Sequence, residues 1–287
     1  MNDNCKNCNI NQGNKIADAL KLDEATREKL NKSILDFLNN ADATKSNPEI
    51  LCEMWRIIAD TIGDDDPYRE IKDYYNKAVM KLSGEVDALF CDGDDRLDTA
   101  LRIAIAGNLI DFGAKHSFSI EDLKSTLHRV MNERLAIDDS EKLFFALAKA
   151  KTLLYLGDNC GEIALDKVFL REIGKRYPDI KAFYGVKGKP VVNDITKTDA
   201  QTVGMSEVAT VVSNGDGASG TVLKNTSEEF KRIFNKADVV ICKGQGNYES
   251  LIDEKKDNMF FLFMAKCENF TVPLNIAPMS IVCLKKK

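Results

Sequence analysis

The chain has 287 residues, with 40 Lys+Arg against 45 Asp+Glu and a formal net charge of −5. That length buries a sizeable core unaided, and 44% apolar with 30% charged residues excludes a disordered or fibrous chain. The acidic balance gives no general attraction to nucleic acid, so no nucleic-acid partner is expected. The longest apolar stretch, Met259–Ala265, is far too short to span a bilayer, and the polar N-terminus has no hydrophobic signal region. No membrane partner is therefore expected and the expected location is cytoplasmic, where eight cysteines read as reduced thiols.

From about Asn14 to Lys151 the apolar residues recur at three- and four-residue spacing. The spacing predicts helices over 25–39, 49–61, 67–82, 95–113, 120–134 and 140–151. Asn47-Pro48-Glu49, Asp66-Pro67, Ser119 and Asp139-Ser140 supply start signals. From Thr152 the texture changes to short apolar runs, predicting strands over 152–156, 181–186, 208–212, 238–242, 260–265 and 280–284. Helical stretches over 162–177, 227–235 and 248–254 separate some of them. Strands alternating with helices imply βαβ units and a parallel sheet covered on both faces. The fold class read from this pattern is α/β, with a helical N-terminal domain at 1–150 and a doubly wound α/β domain at 151–287.

In an open parallel sheet, ligands bind beyond the carboxyl ends of the strands. Those ends carry Gly157-Asp158-Asn159-Cys160-Gly161-Glu162, Lys187-Gly188-Lys189-Pro190-Val191-Val192-Asn193-Asp194, Ser213-Asn214-Gly215-Asp216-Gly217, Lys243-Gly244-Gln245-Gly246-Asn247-Tyr248-Glu249 and Lys266-Cys267. Each cluster alone is also ordinary turn chemistry; their shared edge is what points to a site. Asp158, Asn159 and Asp194 offer the oxygen ligands that Mg²⁺ or Mn²⁺ prefer. Lys187, Lys189 and Lys243 are placed to neutralise phosphate. The only histidines, His116 and His128, fall in the helical half, which argues against a His-rich zinc site or a Ser-His-Asp triad. Gly215-Asp-Gly217-Ala-Ser-Gly220 matches a dinucleotide fingerprint, but the next helix is expected several residues too late. No P-loop sequence occurs.

The strand-end segments after residues 156, 186 and 242 resemble the signatures of the family first catalogued as domain of unknown function 89. Ala106-Gly107-Asn108-Leu109-Ile110-Asp111-Phe112-Gly113, Lys266-Cys267 and the Cys5-Lys6-Asn7-Cys8 pair followed by Gln12 resemble motifs of its prokaryotic and archaeal branch. The resemblance covers nearly the whole chain. It implies a damage-control phosphatase acting on a small phosphorylated metabolite, with a helical region packed on a Rossmann-like sheet. It also implies a divalent metal (Mg²⁺, Mn²⁺, Co²⁺ or Ni²⁺) on Asp158, Asn159 and Asp194, and a phosphate-side Lys243. Asp194 or Glu249 is the expected base, and Asn108, Asp111, Glu162, Asn193, Asn214 and Asn247 are expected on the substrate side. Cys160 stands where a small residue such as Ala or Ser is expected.

Asn108 and Asp111 lie three apart on one predicted helix face and are expected to point into the cleft. Cys5 and Cys8 have the spacing of half a tetrahedral metal site, which Cys52 and Cys91 would complete only if the fold gathered them. Cys52, Cys242 and Cys283 sit in apolar patterns and read as core. Two other functions fit an α/β chain. An S-adenosylmethionine-dependent carboxyl methyltransferase would need an apolar and acidic cofactor pocket in place of metal ligands and lysines. A non-catalytic metal- or phosphate-binding protein would bind both without turnover.

Overall fold

A computed structural model describes residues 3–42, 44–84, 95–108, 125, 129–130 and 133–286. In chain order its N-terminal helices are α1 (Asp3–Ala19), α2 (Glu24–Asn39), α3 (Asn47–Ile62), α4 (Arg69–Ser83) and α5 (Arg96–Gly107). The sheet region follows as β1 (Ile137–Asp138), α6 (Ser140–Leu147), β2 (Thr152–Leu156), α7 (Glu162–Arg176), β3 (Lys181–Val186), α8 (Lys197–Thr202) and β4 (Thr210–Ser213). It ends with α9 (Glu228–Lys236), β5 (Val239–Lys243), α10 (Gly244–Leu251), β6 (Met259–Ala265), α11 (Glu268–Leu274) and β7 (Ser280–Lys285).

Local signals account for the helix ends. Asp23 caps α2, accepting from Thr26 N–H at 2.9 Å. Glu49 reaches back to the Ser46 N–H at 3.0 Å to close the start of α3, and Gly63 ends that helix with φ of 79°. The expected cap at Asn47 is therefore one residue late.

The seven strands run in the order β1-β7-β6-β5-β2-β3-β4. Pairing is parallel from β6 to β4, β7 is antiparallel to β6, and β1 is parallel to β7. Side chains alternate between two cores, as a strand period of two requires. Leu153, Tyr155, Ile241, Phe260 and Leu262 pack with α4, α5 and α7. Leu154, Leu156, Val240, Cys242, Phe261 and Phe263 pack with Phe230 and Phe234 of α9 and Phe270 of α11. The sheet is thus doubly wound and mostly parallel, as read from the sequence.

The expected division at residue 150 does not separate two cores. Leu101, Ile105, Leu143 and Leu147 belong to the same core as the sheet, and β1 pairs with β7. The separate unit is smaller: Ile16, Leu30, Ile34, Ile50, Met54, Trp55 and Ile58 of α1–α3 enclose their own core. Val191 and Val192, from the segment after β3, plug into it. Among the described residues no helix is long and apolar enough to cross a membrane.

Candidate active site

The chain winds outward from β2 to β3 and β4, then crosses back to place β5 on the other side of β2. The crevice outside the carboxyl ends of β2 and β5 is therefore the topological switch point, where open α/β sheets bind ligands. Two loops meet there. Ile195 N–H donates to Asp158 O at 3.0 Å, and Cys160 N–H donates to Asn193 O at 2.8 Å, stitching the segment after β2 to the one after β3. A Cβ on Gly157 would lie 2.2 Å from Ile195 Cδ1, so the approach requires glycine. Val192 has φ of 46°, a left-handed conformation that β-branched residues rarely adopt. Its burial in the α1–α3 core holds that strain immediately before Asn193 and Asp194.

This stitching brings four buried carboxylates into one cluster. Asp158 Oδ2 accepts from Asn108 Nδ2 at 3.0 Å and from Asn159 Nδ2 at 2.8 Å. The same two amides reach Glu162 Oε1, at 2.9 and 2.7 Å. Asn159 spends its N–H groups on carboxylates, and its Oδ1, the atom able to ligate a cation, makes no hydrogen bond among the described residues. Asp194 Oδ1 accepts from Ser219 Oγ at 3.3 Å, while Lys187 Nζ lies 3.4 Å from Oδ2. That Oδ2 is buried and makes no hydrogen bond among the described residues. Burial first, and the neighbouring carboxylates after it, push Asp158 and Asp194 up to about 6 and Glu162 to about 7.

Lys243 closes the back of the cluster. Fully buried, its Nζ donates to Ala104 O at 2.7 Å, Asp166 Oδ1 at 2.9 Å and Glu162 Oε2 at 3.2 Å. Burial works against its charge, but Asp166 and Glu162 outweigh it and the ammonium pKa is raised. All three donors are committed inward, so the structure places Lys243 behind the carboxylates and not on an open phosphate site. Asp166 escaped the sequence reading. Its signal was the spacing of four from Glu162 on α7, together with Tyr155 and Tyr184, buried tyrosines in the middle of β2 and β3. Their hydroxyls donate to Asp166 at 2.7 and 2.8 Å.

The remaining expected residues divide. Asn108, at the end of α5, is in the cluster and buried; Asp111 lies outside the described residues, as do His116, His128 and Cys91. Asn193 joins through its backbone carbonyl. Asn247 is spent on the scaffold, donating to Lys243 O at 2.7 Å and Gly157 O at 3.3 Å and accepting from Thr221 Oγ1 at 2.7 Å. Asn214 likewise accepts from the Gly188 and Asp216 N–H groups, each at 2.9 Å, and shapes the loops after β3 and β4. Glu249 faces the other way. It takes a hydrogen bond from the Asn47 N–H and lies near Cys5, with burial raising its pKa. Cys160 points into the core and leaves Asp158 and Asn159 undisturbed. Among the described residues Cys52 completes no metal site with Cys5 and Cys8, and Cys267 is near enough to both to feel their charge.

Among the described residues no three His, Cys, Asp or Glu side chains form a metal cage. What Asp158, Asn159 and Asp194 offer is two carboxylates and an amide, an all-oxygen set suited to a hard divalent cation.

Comparison with known proteins agrees with this architecture. Residues 1–275 match the model of the damage-control phosphatase ARMT1-like domain. The chain is 31% identical to damage-control phosphatase PH1575 of Pyrococcus horikoshii over 290 aligned positions, covering 99% of this chain and 97% of that protein. A damage-control phosphatase of Archaeoglobus fulgidus is 30% identical over 241 positions, covering 83% and 82% of the two chains. The crystal structure of the Pyrococcus protein, described as a DUF89 family protein, superposes with a TM-score of 0.91 at 29% identity, covering 100% and 99% of the two chains. The chain belongs to the damage-control phosphatase ARMT1-like family, the group also known as domain of unknown function 89.

Proposed function

We propose that this chain is a metal-dependent phosphomonoester hydrolase acting on a small phosphorylated metabolite, with the metal held by Asp158, Asn159 and Asp194. The observation that carries the reading is charge balance. Asp158, Glu162, Asp166 and Asp194 are buried carboxylates, and the buried ammonium groups among them are Lys187 and Lys243. With all four ionised the cluster keeps two negative charges, and among the described residues Asp194 Oδ2 makes no hydrogen bond of good geometry and meets the Lys187 ammonium at 3.4 Å. A divalent cation supplies the missing charge and takes that oxygen. The names of the archaeal relatives support the same reaction class.

Each residue then has a task. Asp158 and Asp194 supply negative oxygen ligands and Asn159 a neutral one. The Asn108 and Asn159 N–H groups fix the Asp158 carboxylate through its Oδ2. Lys243 neutralises Glu162 and Asp166 from behind. Lys187, buried and donating to Gly220 O, pairs with Asp194 from the β3 side. The bound ion would polarise a phosphoryl oxygen and the attacking water, the recognised role of such metals. The chain's own contribution is positioning and electrostatics, which dominate phosphoryl transfer. Of the two expected bases, Asp194 is the one placed at the cluster. Buried carboxylates and lysines at the switch point favour hydrolysis over an S-adenosylmethionine pocket.

The test is hydrolysis of an aryl phosphate and a panel of sugar phosphates across Mg²⁺, Mn²⁺, Co²⁺ and Ni²⁺. Asp194→Ala is expected to lose metal-dependent turnover by about 10²-fold or more while its thermal transition survives. Wild-type activity of that variant at limiting metal would show that the site is misassigned.

A further inference from the structure

The glycine-rich segment after β4 opens no helix, since α9 begins only at Glu228. Up to Asp216 its backbone N–H groups are paired. Asn214 donates to Val186 O at 2.8 Å, Gly215 to Ser213 Oγ at 3.2 Å and Asp216 to Asn214 Oδ1 at 2.9 Å. Beyond that point the N–H groups of Gly217, Ala218, Ser219, Gly220 and Thr221 make no hydrogen bond among the described residues. All of these residues but Ser219 are buried. Buried backbone donors are seldom left without an acceptor, so the run marks a place that a ligand completes. Successive free N–H groups on a glycine-rich loop suit an anion.

The loop is fixed against the proposed metal ligands. Ser219 Oγ donates to Asp194 Oδ1 at 3.3 Å, and Thr221 Oγ1 donates to Asn247 Oδ1 at 2.7 Å. Lys187 Nζ donates to Gly220 O. Gly220 has φ of 135°, and a Cβ there would stand 2.4 Å from Gly246 O, so only glycine lets the loop lie this close to α10. The first residue of α10, Gly244, in turn packs on Asp158. Unmet donors on the loop thus stand beside Asp194, whose Oδ2 is an unmet acceptor. The acceptor calls for a cation and the donors for an anion, which is what a metal ion carrying a phosphate supplies. The two buried lysines of the cluster do not serve that anion. Lys243 donates to Ala104 O and two carboxylates, and Lys187 is spent on Gly220 O and Asp194.

We propose that the loop of residues 217–221 holds the phosphate group of the substrate through its backbone N–H groups, with Ser219 joining this cradle to Asp194. The proposal rests on the reading of Asp158, Asn159 and Asp194 as a metal site. Asp194 and Asp216 put negative charge beside the loop, so an anion is repelled until a cation is bound. Phosphate binding and metal binding are therefore positively coupled.

The test titrates inorganic phosphate into the isotope-labelled full chain, with and without saturating Mg²⁺, and follows the amide resonances of residues 217–221. With Mg²⁺ these amides are expected to shift saturably, and phosphate affinity is expected to fall by ~10-fold or more without the ion. Gly220→Ala pushes the loop off α10. It is expected to weaken inhibition of aryl phosphate hydrolysis by inorganic phosphate ~10-fold or more while the thermal transition survives. Should that variant fail to fold, the titration of the unaltered chain decides alone. Phosphate that leaves residues 217–221 unmoved in the Mg²⁺-loaded chain overturns the cradle, and persisting metal-dependent hydrolysis would then leave the hydrolase reading intact. Equal phosphate affinity with and without the ion, or unaltered inhibition of Gly220→Ala, overturns the cradle as well. Metal-coupled shifts of the loop in a chain that hydrolyses no phosphate ester with any metal uphold the cradle and sink the hydrolase reading instead.

Discussion

Replacing Lys243 by Met distinguishes a lysine that touches phosphate from one that holds the site together. The side chain is fully buried and donates to three acceptors, two of them carboxylates that are themselves buried. Met fills the volume but leaves Glu162 and Asp166 without their cation. Removing one partner of a buried ion pair costs about 3–5 kcal/mol. Two features draw the value toward the lower end. Glu162 already sits at about 7 and escapes by taking a proton, and Asp166 keeps both tyrosine hydroxyls. A loss of about 3 kcal/mol corresponds to roughly 10²-fold in the folding equilibrium. It is a large share of the ~5–15 kcal/mol that ordinarily separates folded from unfolded.

The assay is urea unfolding followed by tryptophan fluorescence, with turnover measured on the same preparations. Lys243→Met is expected to lower the unfolding midpoint strongly. Lys243→Met combined with Asp166→Asn is expected to be more stable than the single variant, because the orphaned charge is gone. A Lys243→Met protein with the wild-type midpoint and no turnover would refute this reasoning and return the residue to the phosphate.

Gly244→Ala strikes the carboxylates from the other side, since its Cβ would stand 1.9 Å from Asp158 Oδ2 at a φ of 78°. About 1–3 kcal/mol of stability is expected to go with the strain, and calorimetric Mn²⁺ titration is expected to show metal affinity lost as Asp158 is displaced; unaltered binding would contradict the placement. Glu249→Gln is expected to retain most turnover in the aryl phosphate assay, because the carboxyl lies on the α1 side; a drop of about 10²-fold in kcat would restore it as the general base.

The sheet was legible because buried parallel strands read as unbroken apolar runs. The run at 181–186 is β3 as observed, and 260–265 falls one residue short of β6. Two sequence expectations slipped for local reasons. The strand placed at 208–212 begins at Thr210, because a short 3₁₀ helix, Met205–Glu207, occupies the approach. The helix placed at 248–254 starts at Gly244, where glycines masked the period. β1, only two residues long, left no signal. α1 was missed before residue 14 because CKNCNINQGN carries little apolar periodicity; its helix rests on packing, with Ile16 and Ala17 buried against α2 and α3. At the site, the motifs located Asp158, Asn159 and Asp194, while the depth of Lys243 was invisible. A lysine at a strand end looks exposed until two acidic residues on α7 are turned toward it.

That depth explains how the crevice keeps its shape. Tyr155 and Tyr184 fix Asp166, Asp166 and Glu162 share Lys243, and Asn108 and Asn159 bridge Glu162 to Asp158. Apart from the two from half-buried Asn159, each link is a hydrogen bond between buried groups, so none of those can rotate without leaving a desolvated partner. Such a column is a poor way to gain stability, since apolar residues of similar volume often serve as well. Its return is orientation: Asp158 is held from the protein interior by Asn108 at the end of α5, as well as by Asn159 on its own loop. Asp194 is held differently, by a strained loop pinned into the α1–α3 core. The spacing between the two proposed ligands is set by the backbone bonds that stitch their loops together, with Ile195 anchoring one side of Asp194 in the sheet core and Val192 the other side in the α1–α3 core.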